Sequence, residues 1–320
     1  MDPDDDVTSP SYLDALPAEF DELIRGAFDL HVHGQPDVSR ALRNRGPDLA
    51  VTRLARDYGL SGWVLKSHLW PTMDRAAALQ EAFDPAEFAV LGSITLNPPT
   101  GGVDPAVVEL AADHGAKVIF LPTWGAAADV ARGGYIPMLL GRSAPHFERF
   151  QRAHPISVVD GDGRLTGAMT DVMDACADLG LLLATGHVSL EETRAIAQRA
   201  AERGTPLFVN HPLHYAKDRP GVLRELAGLG AYIEFSSAPI IHPDSHFTVR
   251  EVFEAMSAVG PERIVLTTDV FSRWVPPEPE ALRMFAEQLR YLGATPEDLR
   301  RMLVENPREA LGRAGVEVPA

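Results

Sequence analysis

Eight short apolar runs, separated by longer stretches with helical periodicity, restrict the fold of this chain more than any other feature. The runs span residues 27–33, 62–68, 89–97, 117–124, 181–187, 207–212, 232–237 and 264–269. Each is apolar at almost every position, which is typical of parallel strands that are buried on both faces. Strand and helix alternating in this way predict an α/β fold, a (β/α)8 TIM barrel formed as a single domain.

The segment between the fourth and fifth runs is too long for a single helix. It contains a glycine-rich stretch, residues 124–135, and two adjacent Asp-Gly pairs, residues 160–163, that predict a short hairpin. Connections of this length usually cover a site or contact a partner. We therefore expect residues 27–320 to form a barrel with an elaborated fourth-to-fifth strand connection and C-terminal helices, preceded by an acidic segment at residues 1–26.

Charge and cysteine content restrict the partners and the compartment. The formal net charge of −16 argues against a nucleic-acid backbone or an anionic membrane as a partner. The single cysteine, Cys176, rules out an internal disulfide and fits a reducing compartment. The acidic N-terminus has no features of a signal peptide, and no apolar run is long enough to span a membrane. These observations predict a cytoplasmic protein.

Histidines gather at the predicted carboxyl ends of the strands, where the active sites of barrels lie. Five of the eleven histidines are found there, namely His31, His33, His68, His187 and His211, together with Lys66 and Asp269. The first two are two residues apart on one strand, so their side chains should share a face. Burying several imidazoles without partners would cost about 1–3 kcal/mol each, whereas one divalent cation can bind several of them. The pattern therefore predicts a metal site.

This set of residues resembles the ligand pattern of the metal-dependent amidohydrolase superfamily. The likeness extends over residues 27–312 and includes the C-terminal stretch 304–312. It implies that the metal ligands are His31 and His33 from the first strand, His187 from the fifth, His211 from the sixth and Asp269 from the eighth. The aspartate would also exchange protons with the attacking water.

The chain departs from the superfamily's pattern at the fourth strand. Binuclear members carry a bridging carboxylated lysine, or a glutamate, at the end of that strand, but Lys117 begins it. At about 3.3 Å per residue, Lys117 would lie about 13–20 Å from the metal end, too far to be a ligand. Lys66, which ends the second strand, has three interpretations: a carboxylated lysine that bridges two metals, a free ammonium that binds or polarises substrate, or a structural residue.

The expected cofactor is a divalent metal, one or two ions, with zinc as the first expectation and manganese or iron as alternatives. A bound cation lowers the pKa of water towards ~7, and a nearby carboxylate can then move the proton. The predicted catalytic residues are Asp269, Lys66 and His211. Their partner would be a small-molecule substrate.

Other polar residues near the strand ends are candidates for substrate contacts. These are His68, which is also a candidate ligand, His214, and Arg273, which could bind an anionic group. Asp37 and Arg40 follow the first strand and are more typical of a surface pairing.

The preferred functional interpretation is a hydrolase that uses metal-activated water to cleave an amide, cyclic amide, ester or lactone bond. The alternative is a metal-dependent non-oxidative decarboxylase of an aromatic or unsaturated acid, because the same ligands support that reaction within the superfamily. A non-enzymatic binding scaffold would require a closed metal site without an open coordination position. The resemblance is also compatible with a homo-oligomer.

Overall fold

Eight parallel strands follow one another in the sheet in the same order as in the chain. The computed structural model describes residues 22–38, 46–144, 146–243, 245, 247–272 and 275–319. The strands are β1 (Phe28–His33), β2 (Gly62–Lys66), β3 (Ala89–Thr95), β4 (Ala116–Phe120), β5 (Leu182–Ala184), β6 (Leu207–Val209), β7 (Tyr232–Ser236) and β8 (Ile264–Thr267). Together with the alternating helices, they form the predicted single-domain (β/α)8 barrel.

Hydrogen bonds just beyond β8 join it to β1 and close the barrel. Asp269 donates its backbone N–H to the carbonyl of His31 at 3.0 Å. Thr268 donates its N–H and its hydroxyl to the carboxylate of Asp29, at 3.1 Å and 2.5 Å. The buried Asp29 therefore holds the seam between the first and last strands.

Helices surround the strands. They are α1 (Asp48–Asp57), α2 (Met73–Gln80), α3 (Pro105–Asp113), α4 (Ala127–Arg132), α5 (Tyr135–Ser143), α6 (Phe147–Ala153), α7 (Gly167–Asp178), α8 (Leu190–Arg203), α9 (Leu213–Ala216), α10 (Pro220–Gly228), α11 (Ala238–Ile241), α12 (Val249–Val259), α13 (Glu278–Leu292), α14 (Pro296–Arg300) and α15 (Asn306–Arg313). Short 3-10 turns occupy Pro98–Thr100 and Pro261–Arg263, and a π-helical turn, Arg301–Glu305, joins α14 to α15.

Three short helices, α4 to α6, form the first part of the β4–β5 connection. A parallel bridge between Ala126 and Ile156 fixes the two ends of this segment. The predicted hairpin at the Asp-Gly pairs is present as a single antiparallel bridge between Val159 and Leu165. Apolar residues of the segment pack with Val38 and Phe271, which lie beyond β1 and β8, so it covers the mouth of the barrel.

The interior of the barrel is apolar below the mouth and polar at its carboxyl end. An inner cluster contains Phe28, Leu30, Val64, Val118, Phe120, Leu182, Ala184, Phe208, Tyr232 and Val265 from the strands. A register shift in the pairing of β1 with β2, between Asp29 and Val32, changes which residues face inward. Leu30 packs in the inner cluster, whereas Val32 packs in the larger outer cluster of strand and helix residues. A shift of this kind re-aims the side chains that follow it.

Two further observations concern membrane-spanning helices and the single cysteine. In the described part of the chain, we find no helix whose length and apolar character would let it cross a membrane. Cys176 is buried in α7, and burial raises the pKa of its thiol to about 12, as expected for a packed core residue.

Candidate metal centre

The five predicted histidines form a closed ring at the mouth of the barrel. Neighbouring ring centroids are separated by 5.2 Å (His31–His33), 4.7 Å (His33–His68), 5.9 Å (His68–His187), 5.2 Å (His187–His211) and 5.3 Å (His211–His31). They come from β1 and from the loops after β2, β5 and β6. Side chains that are up to 180 residues apart in the sequence thus meet at one point, as their positions predicted.

Asp269 reaches this cluster from the loop after β8. Its Oδ1 lies 3.0 Å from His31 Nε2 and 2.9 Å from His33 Nε2. Its Oδ2 lies 3.7 Å from His211 Nε2. The three histidines therefore direct the same ring nitrogen towards one carboxylate.

The opposite nitrogen, Nδ1, of each of three histidines faces another carboxylate. His31 Nδ1 lies 2.7 Å from Glu234 Oε1, and His33 Nδ1 lies 2.8 Å from Asp37 Oδ2. His187 Nδ1 lies 3.1 Å from Asp129 Oδ1. An ionised carboxylate can only accept, so with a metal on Nε2 each ring would carry its proton on Nδ1 and donate it to the carboxylate behind it. Carboxylates behind histidine ligands orient the rings in the same way in known metal sites.

Glu234 is the central one of these three carboxylates, because it contacts three different segments. This wholly buried β7 residue accepts hydrogen bonds from the Thr267 hydroxyl at 2.9 Å, the Asn210 amide at 3.2 Å and the His211 backbone N–H at 3.1 Å. Its Oε2 also lies 3.6 Å from His211 Nδ1. Because its oxygens contact Nδ1 atoms and a backbone N–H, Glu234 is placed to orient the rings, and with His31 and His211 it also forms a second group of closely spaced ligand atoms.

His211 and Asp269 have left-handed backbone conformations, with φ of 48° and 52°. Residues with side chains seldom adopt this region, and such strain tends to occur at functional sites. Hydrogen bonds from both backbone N–H groups, to Glu234 and to the His31 carbonyl, hold the two residues in place. The chain leaves β6 and β8 before these residues, so they lie beyond the strands and not on them.

Lys66 extends from the last residue of β2 into the same cluster. It is fully buried, and its Nζ lies 2.8 Å from His31 Nε2. Nζ also lies 5.1 Å from the centroid of Phe120, the last residue of β4. Burial lowers the pKa of Lys66 despite the nearby carboxylates of Asp269 and Glu234. Lys66 is therefore buried among the histidines of the site.

His68 differs from the other four histidines. Its Nδ1 lies 3.1 Å from the Thr123 hydroxyl, not from a carboxylate, and its ring stacks on that of His33 at an interplanar angle of 25°. Burial and the positive charge of Lys66 hold the pKa of His68 well below its usual range, so the ring is neutral near pH 7.

The charges of the site depend on each other. Burial disfavours a charged His31, but the carboxylates of Asp269 and Glu234 raise its pKa to about 9. Burial would raise the pKa of Asp269, yet the His31 and His211 rings hold it well below its usual range. The pKa of Glu234 is lowered to about 2, because its contacts with His31 and His211 outweigh its burial. The site is thus built to keep its carboxylates ionised.

These contacts provide a test of whether a cation fits here. The Nε2 atoms of His31 and His33 both lie 2.9–3.0 Å from Asp269 Oδ1. Contacts this short need a proton or a metal ion between nitrogen and carboxylate, and the raised pKa of His31 agrees with a proton in that place. Nitrogen and carboxylate donors with ligand atoms this close suit a divalent transition metal. A divalent metal therefore fits the residues present.

The structure also locates the remaining predicted residues. His214 is exposed at the rim, with its ring 5.7 Å from that of His211. Arg273 and Arg40 lie outside the described residues. The expectation of a surface pairing for Asp37 is wrong, because Asp37 is buried against His33 and accepts hydrogen bonds from Ser67 and His68. Glu234 and Asp129 were not predicted as site residues.

A model of a family of unknown function, DUF6282, matches residues 26–234, which is more than half of the chain. The chain belongs to the DUF6282 family. No match to this DUF6282 chain was found among curated proteins. The part that matches includes every site residue from β1 to β7, whereas Asp269 lies beyond it.

Solved structures with the same fold include several enzymes. An amidohydrolase from Pseudomonas aeruginosa is 13% identical, with 93% of this chain and 98% of that chain covered and a TM-score of 0.62. A 2,6-dihydroxybenzoate decarboxylase from Rhizobium is 12% identical (90% and 99% covered, TM-score 0.55). An organophosphorus hydrolase from Deinococcus radiodurans is 16% identical (88% and 91% covered, TM-score 0.52). At these identities, the similarity establishes the shared fold.

Proposed function

We propose that this protein is a metal-dependent hydrolase that cleaves an amide, cyclic amide, ester or lactone bond of a small molecule. The observation that carries the proposal is the convergence of His31 Nε2, His33 Nε2 and Asp269 Oδ1 at 2.9–3.0 Å. The fold similarity to an amidohydrolase and an organophosphorus hydrolase supports it.

The residues that would hold the metal are His31, His33, His187 and Asp269, with His211 as a further ligand or as a hydrogen-bond donor to substrate. When bound, zinc or a similar cation supplies Lewis acidity that lowers the pKa of a water molecule to about 7. Asp269 is placed to accept a proton at Oδ2 and to return it to the leaving group. Its low pKa keeps it ionised and ready to accept.

Lys66 has two proposed states in this site. In one, its amine has reacted with carbon dioxide to form a carbamate that bridges two metals, which would replace a lysine at the end of β4. In the other, it is a free amine or ammonium that contacts substrate beside a single metal. Incubation with isotopically labelled bicarbonate, followed by NMR of the metal-loaded protein, separates them, because only a carbamate gives a protein-bound carbonyl signal.

Non-oxidative decarboxylation is a second candidate, and one observation favours it. The end of β4 is Phe120, whose ring lies 5.6 Å from that of His31, so apolar carbon occupies the place where a bridging ligand would be expected in a binuclear hydrolase. A site without that bridge suits a decarboxylase with a single metal better than a binuclear hydrolase.

One experiment tests both candidates. The protein is freed of metal, loaded with zinc, manganese or iron(II), and assayed with a panel of cyclic amides, lactones, aryl esters and hydroxybenzoic acids. Metal-dependent hydrolysis of a member of the first three classes supports the proposal, and loss of carbon dioxide from the acids would replace it with the decarboxylase. A chain that binds none of these metals above background would overturn both.

A further inference from the structure

The orientation of Asn97 is fixed by four hydrogen bonds beside the histidine ring. Its Oδ1 accepts from the backbone N–H groups of Thr123 and Gly125, at 2.9 Å and 3.1 Å. Its Nδ2 donates to the His68 carbonyl at 2.9 Å and to Thr123 Oγ1 at 2.8 Å. The reversed amide would set N–H groups against N–H groups, so Nδ2 must be the atom that faces the Thr123 hydroxyl.

This amide determines where the Thr123 hydroxyl sends its single hydrogen. Oγ1 accepts from Asn97, and its second contact is His68 Nδ1, at 3.1 Å. Within the described part of the chain, Thr123 Oγ1 has no other hydrogen-bond partner. The hydroxyl therefore donates to His68 Nδ1, which leaves the ring's own proton on Nε2.

His68 is thus the opposite tautomer of its neighbours in the ring. With a metal bound, His31, His33 and His187 would carry their protons on Nδ1, which faces a carboxylate in each case, and present a lone pair at Nε2. The ring of His68, stacked on that of His33 and 5.9 Å from that of His187, presents an N–H instead. An N–H cannot bind a metal, but it can donate a hydrogen bond to an oxygen.

The backbone around His68 is held as firmly as its ring. The His68 carbonyl accepts from Trp124 Nε1 at 2.8 Å, and its N–H donates to Asp37 Oδ1 at 2.9 Å. The same carboxylate therefore orients one candidate ligand, His33, and positions His68 beside it.

We propose that His68 is not a metal ligand but a catalytic hydrogen-bond donor, whose Nε2–H binds a carbonyl or carboxylate oxygen of the substrate next to the metal. This assignment rests on the proposed metal-dependent function for its catalytic part. The tautomer and the absence of a role in metal binding can be measured without a substrate. Asn97 and Thr123 are positioning residues that act through His68.

The first test is the tautomer of the zinc-loaded protein, measured by long-range proton–nitrogen correlation NMR of labelled histidine rings. The His68 signals are assigned by their loss in His68→Gln. The expected result is a protonated Nε2 for His68 and a protonated Nδ1 for His31, His33 and His187. In Thr123→Val the preference of His68 should be lost, and in Thr123→Ser, which keeps the hydroxyl, it should persist. A protonated Nδ1 on His68 in the unsubstituted protein overturns the proposal.

The second test separates a donor from a ligand by zinc affinity. His68→Gln should bind zinc within about twofold of the unsubstituted protein, whereas His187→Gln, a change in a candidate ligand of the same ring, should bind it at least tenfold more weakly. If both variants lose zinc equally, His68 is a ligand and the proposal is wrong. On a substrate found with the panel above, His68→Phe, which removes the donor that the amide of His68→Gln could replace, should lower kcat about 10²–10³-fold, as does removal of one oxyanion donor elsewhere. Unchanged kcat would also overturn it.

These outcomes distinguish the two proposals. Failure of the protein to turn over any substrate leaves the tautomer and the zinc comparison to decide the role of His68. Conversely, a Nδ1-protonated His68 in an active hydrolase would refute the donor and leave the proposed function intact.

Discussion

At the scale of single residues, the site is defined by what lies behind its histidines. Glu234, Asp37 and Asp129 each contact the Nδ1 of a different ring, and they come from β7, from the turn after β1 and from α4. Each contact fixes both the plane of a ring and its tautomer. The rings are therefore aligned before any metal binds, which reduces the entropy lost on binding.

Of the three carboxylates that contact Nδ1 atoms, Asp129 is the one whose removal can be tested most cleanly. It is buried, it accepts from Arg132 at 3.0 Å, and its pKa is lowered to about 2 because His187 and Arg132 outweigh its burial. We predict that Asp129→Ala weakens zinc binding about 10–100-fold, because His187 loses the group that orients it. Competition with a chromophoric chelator measures this. Asp162→Ala, an exposed carboxylate in the same connection, should have no effect.

A second residue-scale prediction concerns proton transfer. Asp269→Asn keeps an oxygen for the metal but can no longer accept a proton. On a substrate identified with the panel, we expect kcat to fall about 10²–10⁴-fold while most of the zinc is retained. Steady-state kinetics alongside metal analysis checks this, and undiminished turnover would remove Asp269 as the proton carrier.

The raised pKa of His31 predicts how metal binding depends on pH. Asp269 and Glu234 raise this pKa, despite burial, to about 9, so below that pH the ring carries a proton that the metal must displace. Apparent zinc affinity should therefore fall about tenfold for each unit of pH below about 9, and be nearly constant above it. Zinc competition titrations across this range measure the slope. In Glu234→Gln, the pH at which the zinc affinity starts to fall should be lower. A zinc affinity that does not change with pH in either protein would contradict the raised pKa of His31.

At the scale of elements, the barrel could be predicted because its signal is simple. Eight runs that are apolar at nearly every position can hardly be anything but buried strands, and each run contains one or nearly coincides with one. The predicted ends of the strands were less accurate. The runs at residues 181–187 and 207–212 contain strands of only three residues, Leu182–Ala184 and Leu207–Val209. These strands end before the apolar runs do. After β6, for example, His211 has a left-handed backbone conformation, and its N–H donates to the side chain of Glu234 and does not extend the sheet.

Part of the candidate site was predictable because its polar residues stand out against the apolar runs. The candidate ligands stand at or just beyond strand ends, where an imidazole interrupts an apolar run and is conspicuous. Glu234 was detectable too, since it is a carboxylate in the middle of the apolar strand Tyr232–Ser236. Asp129 gave no such signal, because it lies in a short helix of a connection whose path depends on tertiary packing. The register shift in β1 is equally invisible, since alternation alone would place Leu30 and Val32 on one face.

The β4–β5 connection allows a stability prediction that is separate from the metal site. Glu192 in α8 accepts from the Ser157 hydroxyl and the Val158 backbone N–H, both at 2.9 Å, and completes the capping box with Ser189. Glu192→Ala should lower the free energy of unfolding by about 1–3 kcal/mol, because the buried Val158 N–H loses its acceptor. Ser189→Ala, which removes only the cap, should cost about 1 kcal/mol.

Urea denaturation of the metal-free protein measures both changes. Zinc affinity should stay within about twofold of the unsubstituted value in both variants, since neither residue contacts a ring of the site. A large loss of affinity in Glu192→Ala would show that the whole connection, and not Asp129 alone, positions His187.

At the scale of the whole molecule, the proposed metal should stabilise the fold. Its candidate ligands come from β1 and from the loops after β5, β6 and β8, so they are brought together only in the folded chain. Free zinc at a hundredfold excess over Kd should therefore add about 2.7 kcal/mol to the free energy of unfolding. Thermal unfolding with and without zinc tests this. An unchanged Tm would mean that the site does not bind zinc in the folded state.

The hydrogen bonds that close the barrel set an order of events during synthesis. Asp29 and Thr268 are 239 residues apart in the sequence, so β1 emerges from the ribosome long before its last neighbour exists. Until then, the carboxylate of Asp29 and the carbonyl of His31 lack the partners they have in the finished barrel. Contacts over such long separations form slowly. A nascent chain stalled before residue 264 should thus contain all five histidines of the ring but neither the seam nor Asp269, and its metal pocket is complete only after residue 269 has been added.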